Sequence, residues 1–289
     1  MIDYHVHLWP HAPGMSLVAS VDQLSDYCTQ AAQLGVTEVA VTEHCSRFRQ
    51  FDALLRGWWD QDPSPLRRAE TARSWEEELG ADLDQYAETL LAARAAGLPV
   101  LIGLEVDYFP GAMDKVAGLL QGYPFDVLLG SVHWIGAWLF DALGWAQAQQ
   151  QWVARGVERI WADYTRSLEE LADTRTVDVL AHPDLAKVAG HRPAPPDEFY
   201  DRIAESVRSC RLVAELNSAG WRKPCAEAYP APRLLARFCN YGVPVTTGSD
   251  GHRLEEVAWR ISDLTAIARS AGYSEVSAFR ARSRTPQPL

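Results

Sequence analysis

Long apolar runs are missing from this 289-residue chain. Nowhere do about eighteen uninterrupted apolar residues occur, which argues against a membrane-spanning helix. The opening Met1-Ile2-Asp3-Tyr4-His5 has no basic stretch followed by an apolar one, so no secretory signal is expected and a cytoplasmic location is. Cysteine is scarce and scattered. The five, at 28, 45, 210, 225 and 239, form no CxxC pair, and an odd, irregular set argues against a disulfide framework or zinc ribbon. They are expected to be small buried hydrophobes, with Cys45 directly after His44 and so near any site built there. Positive charge is also short: 27 Lys and Arg stand against 38 Asp and Glu, with no basic block. A nucleic-acid surface needs clustered cations to displace counterions, so no nucleic-acid partner is expected. Acids in excess suit a site that binds cations instead. The 47% hydrophobic content suffices for a core, and the length allows one large α/β barrel or two ordinary domains.

What is present has a rhythm. Apolar runs at Ile2–Leu8, Val36–Thr42, Pro99–Tyr108, Phe125–His133, Thr176–His182, Leu212–Asn217 and Val243–Gly248 predict strands. Helical periodicity falls between them, at Val21–Leu34, Asp82–Ala96, Gln147–Leu171, Pro196–Ser209, Pro230–Tyr241 and Leu254–Ala271. Strands alternating with helices imply a parallel sheet covered on its faces, and right-handed crossovers sustained over the whole chain close it into a barrel. The expected fold is therefore an α/β, distorted parallel (β/α)7 barrel of the TIM type. No linker or repeat divides it, so residues 1–289 form one domain. An aromatic-rich insertion at about 46–80, carrying Trp58, Trp59 and Trp75, either covers the site or packs outside the barrel. Residues 280–289, with Pro286 and Pro288, are expected to be a loose tail.

Histidine placement carries the functional signal. His5 and His7 end the first strand, His44 the second, His133 the fourth, His182 the fifth and His252 the seventh. Glu105 ends the third strand and Asp250 the seventh. One such histidine alone is more often a satisfied core or loop residue. Together, at the strand ends that meet at the mouth of a parallel barrel, they form a cluster. The spacing of His5 and His7 puts both rings on one strand face, as it does for Asp250 and His252 if that segment stays extended. His191 lies in a polar loop and is left at the surface. Imidazole with carboxylate suits zinc, manganese or iron, and so many ligands exceed the needs of one tetrahedral ion. Two or three divalent metals, one carboxylate bridging a pair, commonly split phosphate esters.

The segments Asp3-Tyr4-His5-Val6-His7, Thr42-Glu43-His44, Gly103-Leu104-Glu105-Val106-Asp107-Tyr108, Gly130-Ser131-Val132-His133, His182-Pro183-Asp184-Leu185 and Gly248-Ser249-Asp250-Gly251-His252 resemble, in order, the motifs of the polymerase-and-histidinol-phosphatase (PHP) superfamily. The resemblance runs from residue 3 to about residue 260. Glu215-Leu216-Asn217-Ser218-Ala219-Gly220-Trp221-Arg222-Lys223 is most similar to the histidinol-phosphatase branch. This resemblance implies a seven-stranded distorted barrel with a trinuclear metal centre. It implies that His5, His7, Glu105 and Asp250 hold one metal, that Glu105 bridges to a second completed by His133 and His182, and that His11, His44 and His252 hold a third. His11 follows the His5/His7 pair more closely than the family pattern has it. The implied activity is release of phosphate from L-histidinol phosphate, a small phosphorylated substrate, in histidine biosynthesis.

In that reading a metal-bound hydroxide, held by Glu105, Asp250 and His133, attacks phosphorus, and no Ser or Cys nucleophile is needed. The phosphate partner should be an arginine, whose fork matches two oxygens. Arg222 is the first candidate, Lys187 and Arg192 the next, and Ser131 is a possible donor; Lys223 is expected at the surface. Asp107, Glu43, Asp184 or the insertion's tryptophans would meet the cationic end of the substrate. Rival readings are a PHP enzyme for another phosphomonoester or a nucleotide, an inactive PHP module, and a metal-dependent amidohydrolase. The last usually carries a bridging lysine where this chain has Glu105.

Overall fold

The computed structural model describes residues 1–289, the side chains of residues 146 and 147 excepted. All seven expected runs form parallel strands. The first four are β1 (Ile2–Val6), β2 (Glu38–Val41), β3 (Val100–Asp107) and β4 (Val127–Ser131). A small antiparallel pair, β5 (Trp134–Ile135) and β6 (Trp138–Leu139), lies apart. Then come β7 (Val179–Leu180), β8 (Val213–Asn217) and β9 (Val245–Gly248), giving the order β1-β2-β3-β4-β7-β8-β9. The sheet nearly closes on itself. Between the end of β1 and the segment just past β9, Val6 bridges Gly251 and Asp250 N–H donates to His5 O at 2.7 Å. Burial of both faces explains why the strands read as continuous apolar runs rather than alternating ones.

Helices α1 (Val21–Gln33), α2 (Arg49–Leu55), α3 (Pro65–Glu78), α4 (Leu83–Ala95), α5 (Met113–Leu120), α6 (Ala146–Arg155), α7 (Val157–Thr174), α8 (Asp197–Cys210), α9 (Pro232–Asn240) and α10 (Ile261–Ala271) lie between and around the strands. Their starts are chemically marked. Ser20 and Asp82 cap α1 and α4 with side-chain oxygens, and Ser64 caps α3 just before Pro65. Three expectations need correction. The helix expected over Gln147–Leu171 is two, broken at Gly156, whose φ of 77° is open to glycine and interrupts the ladder. The helix expected from Leu254 begins at Ile261, because Ala258 and Arg260 take left-handed conformations. Helix α5 has no counterpart among the expected segments. No helix among the described residues is long and apolar enough to cross a membrane.

The C-terminus is not a loose tail. It forms an antiparallel hairpin of β10 (Glu275–Arg280) and β11 (Ser283–Pro288). Pro286 and Pro288 sit on its outer strand, where a missing N–H need not break a ladder. Thr246 of β9 donates to Ser277 O at 3.0 Å, and Arg282 N–H donates to Asp126 O at 2.9 Å, which fastens the hairpin to the barrel. Phe48, Phe51, Leu55 and Trp59 are buried in the core, while Trp75 and Glu78 of α3 face a cavity at the barrel mouth.

Candidate metal centre at the barrel mouth

The strand ends deliver the cluster. His5 and His7 leave β1 on one side, ring centroids 5.0 Å apart, as their spacing predicts. Glu105 projects from β3 into the middle of the histidines. Its Oε1 lies 3.0 Å from His182 Nε2, 3.4 Å from His5 Nε2 and 3.7 Å from His133 Nε2. Its Oε2 lies 2.7 Å from His44 Nδ1 and 3.7 Å from His7 Nε2. Asp250 Oδ1 adds contacts at 3.4 Å to His7 Nε2 and 3.8 Å to His5 Nε2. The segment Asp250-Gly251-His252 does not stay extended: Asp250 has a φ of 53°. Asp3 accepts from Ser249 N–H at 2.8 Å and Ser249 Oγ–H at 2.6 Å, which anchors the turn that returns His252 to within 3.2 Å of His44.

Among the described residues, four sets of ligating atoms converge closely enough to hold an ion: His5/His7/Asp250, His5/Glu105/His182, His7/His44/His252 and His44/Asp107/His133. His11 stands beside them but in none. Its ring is 4.6 Å from that of His252 and 5.0 Å from that of His44, while its Nδ1 faces Glu78 at 3.3 Å and Arg47 at 3.2 Å. The donor chemistry fits divalent transition metals. His5 Nε2 and His7 Nε2 are buried without a hydrogen-bond partner, an arrangement that is costly unless something binds there.

Carboxylates behind the cluster fix its rings. Glu215 Oε1 lies 2.7 Å from His5 Nδ1, and its Oε2 accepts His182 N–H at 2.8 Å. Asp107 Oδ1 lies 2.7 Å from His133 Nδ1. The two ring contacts set the tautomer of His5 and His133 and leave Nε2 free to ligate, while the bond to His182 is to its backbone N–H. Gly248 makes room for the first of them, since a Cβ there would fall 2.1 Å from Glu215 Oε1 and 2.6 Å from His5 Cβ. Glu43, named in the sequence only for the substrate's cation, instead accepts Leu8 N–H at 2.5 Å and the Arg47 guanidinium at 2.8 Å. The missed partner, Glu215, had a signal: an acid at a central position of an apolar strand must be paired if it is buried.

Electrostatics divide the cluster. Burial opposes charge on Glu105, yet His5, His133, His44 and His182 hold its carboxyl well below the usual range. Burial opposes charge on Asp250 too, and His5, His7 and His252 outweigh it. Burial and neighbouring His7 push His44 down to about 3 and hold His252 well below its ordinary value. His5 and His133 go the other way. Burial disfavours their charge, but Glu215 and Asp250 raise His5, and Asp107 and Glu105 raise His133 to about 10.

The cluster opens into a cavity of about 370 Å³ that Arg222, Lys223 and Arg253 also line. Arg222 ends the short turn Ala219–Arg222 after β8. Its Nη2 donates to Ser249 O at 3.0 Å and Asp250 O at 2.8 Å, while Nη1 is buried without a partner. The other expected phosphate contacts are not there. Lys187 is fully buried, with Nζ 2.9 Å from both Asp184 and Glu227. Arg192 pairs with the same Glu227 at 2.7 Å. Acids near these two cations claim them before they can reach the mouth. Ser131 is buried beneath it and donates to Asp107 at 3.4 Å. Lys223 is exposed, as expected, and also lines the mouth. Cys45 is buried and accepts Asp107 N–H at 3.4 Å, which leaves its thiol no free approach. His191 is exposed, as expected.

A second cavity, of about 280 Å³, adjoins the first and shares His44, His133, Asp141 and Lys223 with it. Its other walls include Trp75, Trp134 and Trp145, with Glu78 beside them. Asp184 is absent from its lining because Lys187 and Ala231 N–H occupy its carboxylate.

A family model described as the PHP domain matches residues 3–219. The chain belongs to the PHP family. Among curated relatives, a probable histidinol-phosphatase of Deinococcus radiodurans is 32% identical over 293 aligned positions, covering 99% of each chain. Another, from Schizosaccharomyces pombe, is 26% identical and covers 81% of this chain and 76% of its own. The fold is shared with a histidinol phosphate phosphatase of Lactococcus lactis solved with zinc, L-histidinol and phosphate: TM-score 0.71, 19% identity, 98% of both chains. A putative histidinol phosphatase of Listeria monocytogenes superposes with a TM-score of 0.72 at 19% identity, over 91% of this chain and 99% of that one.

Proposed function

We propose that this PHP protein is a histidinol-phosphatase, a metal-dependent phosphomonoesterase that converts L-histidinol phosphate and water to L-histidinol and phosphate. One observation carries the reading: residues of the Glu105-centred histidine cluster and Arg222, whose Nη1 has no partner, line one cavity, which adjoins a second of complementary chemistry. The full-length similarity to the Deinococcus relative supports the same substrate.

In this assignment His5, His7, Asp250 and Glu105 hold one divalent metal, and Glu105, His133 and His182 a second. His44 and His252, with His11 leaning over them, would hold a third. Zinc, manganese and iron all suit these donors. Bound metals would supply a water acidified from about 15.7 to about 7 and Lewis-acid neutralisation of the phosphoryl oxygens. The protein's own part is positioning and charge. Glu215 and Asp107 present Nε2 of His5 and His133 to the mouth. Arg222, held by two backbone carbonyls, directs Nη1 at the phosphoryl group, with Lys223 and Arg253 raising the local positive potential. The second cavity receives the leaving alcohol: tryptophan faces take its imidazole, and Glu78 or Asp141 its ammonium.

The test is phosphate release by metal-replete protein from L-histidinol phosphate beside a panel of phosphomonoesters and a nucleotide. A chelator-sensitive preference for L-histidinol phosphate is expected. Equal or better hydrolysis of the other esters would keep the metal chemistry and overturn the substrate; silence on all would favour an inactive module.

A further inference from the structure

Arg222 is not held by hydrogen bonds alone. Its guanidinium carbon lies 5.0 Å from the ring centroid of Trp259. The indole is itself fixed. Trp259 O accepts Ser218 Oγ–H at 2.7 Å, and the ring meets the edge of Trp221 at 6.3 Å and 73°. Beyond it stands Arg260, whose guanidinium carbon is 3.8 Å from the Trp221 centroid and 5.6 Å from that of Trp259. Arg260 also pairs with Asp263, so this outer layer is anchored on α10. The result is a stack that runs from the protein surface to the mouth cavity and ends on a single cation.

We propose that Trp259 is a positioning residue, which fixes the plane of the Arg222 guanidinium so that Nη1 meets the substrate's phosphoryl group. The inference rests on the reading of Arg222 as the phosphate partner. Its physical basis is pre-organisation. An arginine side chain loses considerable rotamer freedom when its fork is ordered, and bidentate recognition depends on the plane in which the fork lies. Nη2 alone leaves the guanidinium free to swing about the two carbonyls. An aromatic face beside it removes that freedom and attracts the cation electrostatically. Trp259 itself does not line either cavity, so it acts only through Arg222.

The experiment is a double-mutant cycle on metal-loaded protein, reading KM for L-histidinol phosphate and the inhibition constant of inorganic phosphate. Trp259→Leu should raise both by about two- to thirty-fold, the span of a cation–π contact from exposed to desolvated. The loss should fall on KM rather than kcat, with metal content unchanged. Trp259→Phe, which keeps a π face, should recover most of it, and Trp259→Leu should add nothing to Arg222→Ala. Trp259→Met, measured the same way, serves if the leucine variant does not fold. A leucine variant equal to wild type, or one equally damaging with and without Arg222, would overturn the positioning role and leave Arg222 standing. A silent Arg222→Ala would remove the phosphate reading and the positioning proposal together.

Discussion

Replacing Glu215 by Gln should cost metal affinity without any ligand being touched. Glu215 is buried and serves two ring-bearing residues at once, through Oε1 at 2.7 Å from His5 Nδ1 and Oε2 at 2.8 Å from His182 N–H. Oε2 also accepts from Asn217 Nδ2 at 3.0 Å. All three neighbours need an acceptor when His5 presents a bare Nε2 to a metal. Glutamine offers one oxygen and one NH2. If the oxygen faces His5, the NH2 confronts two donors. If it faces the other way, the NH2 donates to His5 Nδ1 and drives the proton to Nε2, the atom proposed to ligate. The first arrangement loses both contacts at Oε2 and the second the contact to His5 Nδ1, and loss of a supporting contact to a ligand costs about 10- to 100-fold in metal affinity or activity. That corresponds to about 1.4–2.8 kcal/mol. Competition against a chelator of known affinity measures it directly, with kcat/KM at saturating metal as the second readout. Gly248→Ala should reproduce the defect by another route, because its methyl would fall on the position of Glu215 Oε1. Wild-type metal affinity in Glu215→Gln would refute the reasoning, since the proposed tautomer control would then be doing nothing.

Arg222→Ala should raise KM by about 10- to 150-fold, the worth of a hydrogen bond to a charged group, with metal content unchanged and only partial recovery in Arg222→Lys; an unaltered KM would remove its role. Metal removal should lower thermal stability, by on the order of 8 °C if metals were present at 1,000 times their dissociation constant. Scanning calorimetry with and without chelator checks this. The pH dependence of the metal-free protein follows from His133, whose charge is opposed by burial but held by Asp107 and Glu105 up to about 10. A raised histidine contributes stability fully below its unfolded value of about 6.5 and loses it as pH climbs through the folded value. The melting temperature of the metal-free protein should therefore fall between pH 7 and 10, and metal uptake should grow more favourable there; a flat profile would contradict it. Burial raises the Cys28 thiol to about 11 and holds Cys45 well above its ordinary value. Peptide mapping after native iodoacetamide treatment at pH 8 should find both unmodified.

What the sequence disclosed, and what it hid, follows from how each residue's neighbours are set. The seven strands were legible because a strand buried on both faces is apolar throughout, and the ligand candidates because a parallel barrel gathers its strand ends whatever the register. His5, His44, Glu105, His133, His182 and Asp250 thus converge from distant stretches of chain on topology alone. Lys187 and Arg222 show where that logic stops. Each is a cation after a barrel strand. The difference lies in the acids around them: Asp184, three residues before, and Glu227, 40 residues on, close over Lys187. Arg222 meets no acid: its Nη2 donates to the carbonyls of Ser249 and Asp250, and Nη1 has no partner. Glu215 is hidden for the same reason, since its partner His5 lies 210 residues away. The tail misled because proline is a good argument against a central strand and none against an outer one. Ligand type is therefore written locally in such a chain, whereas the state of each ligand, its tautomer, charge and aim, depends on contacts between distant segments. The substitutions that best test the site are accordingly those at Glu215, Gly248 and Trp259, which change no proposed ligand and alter only how the ligands and their one phosphate-facing cation are held.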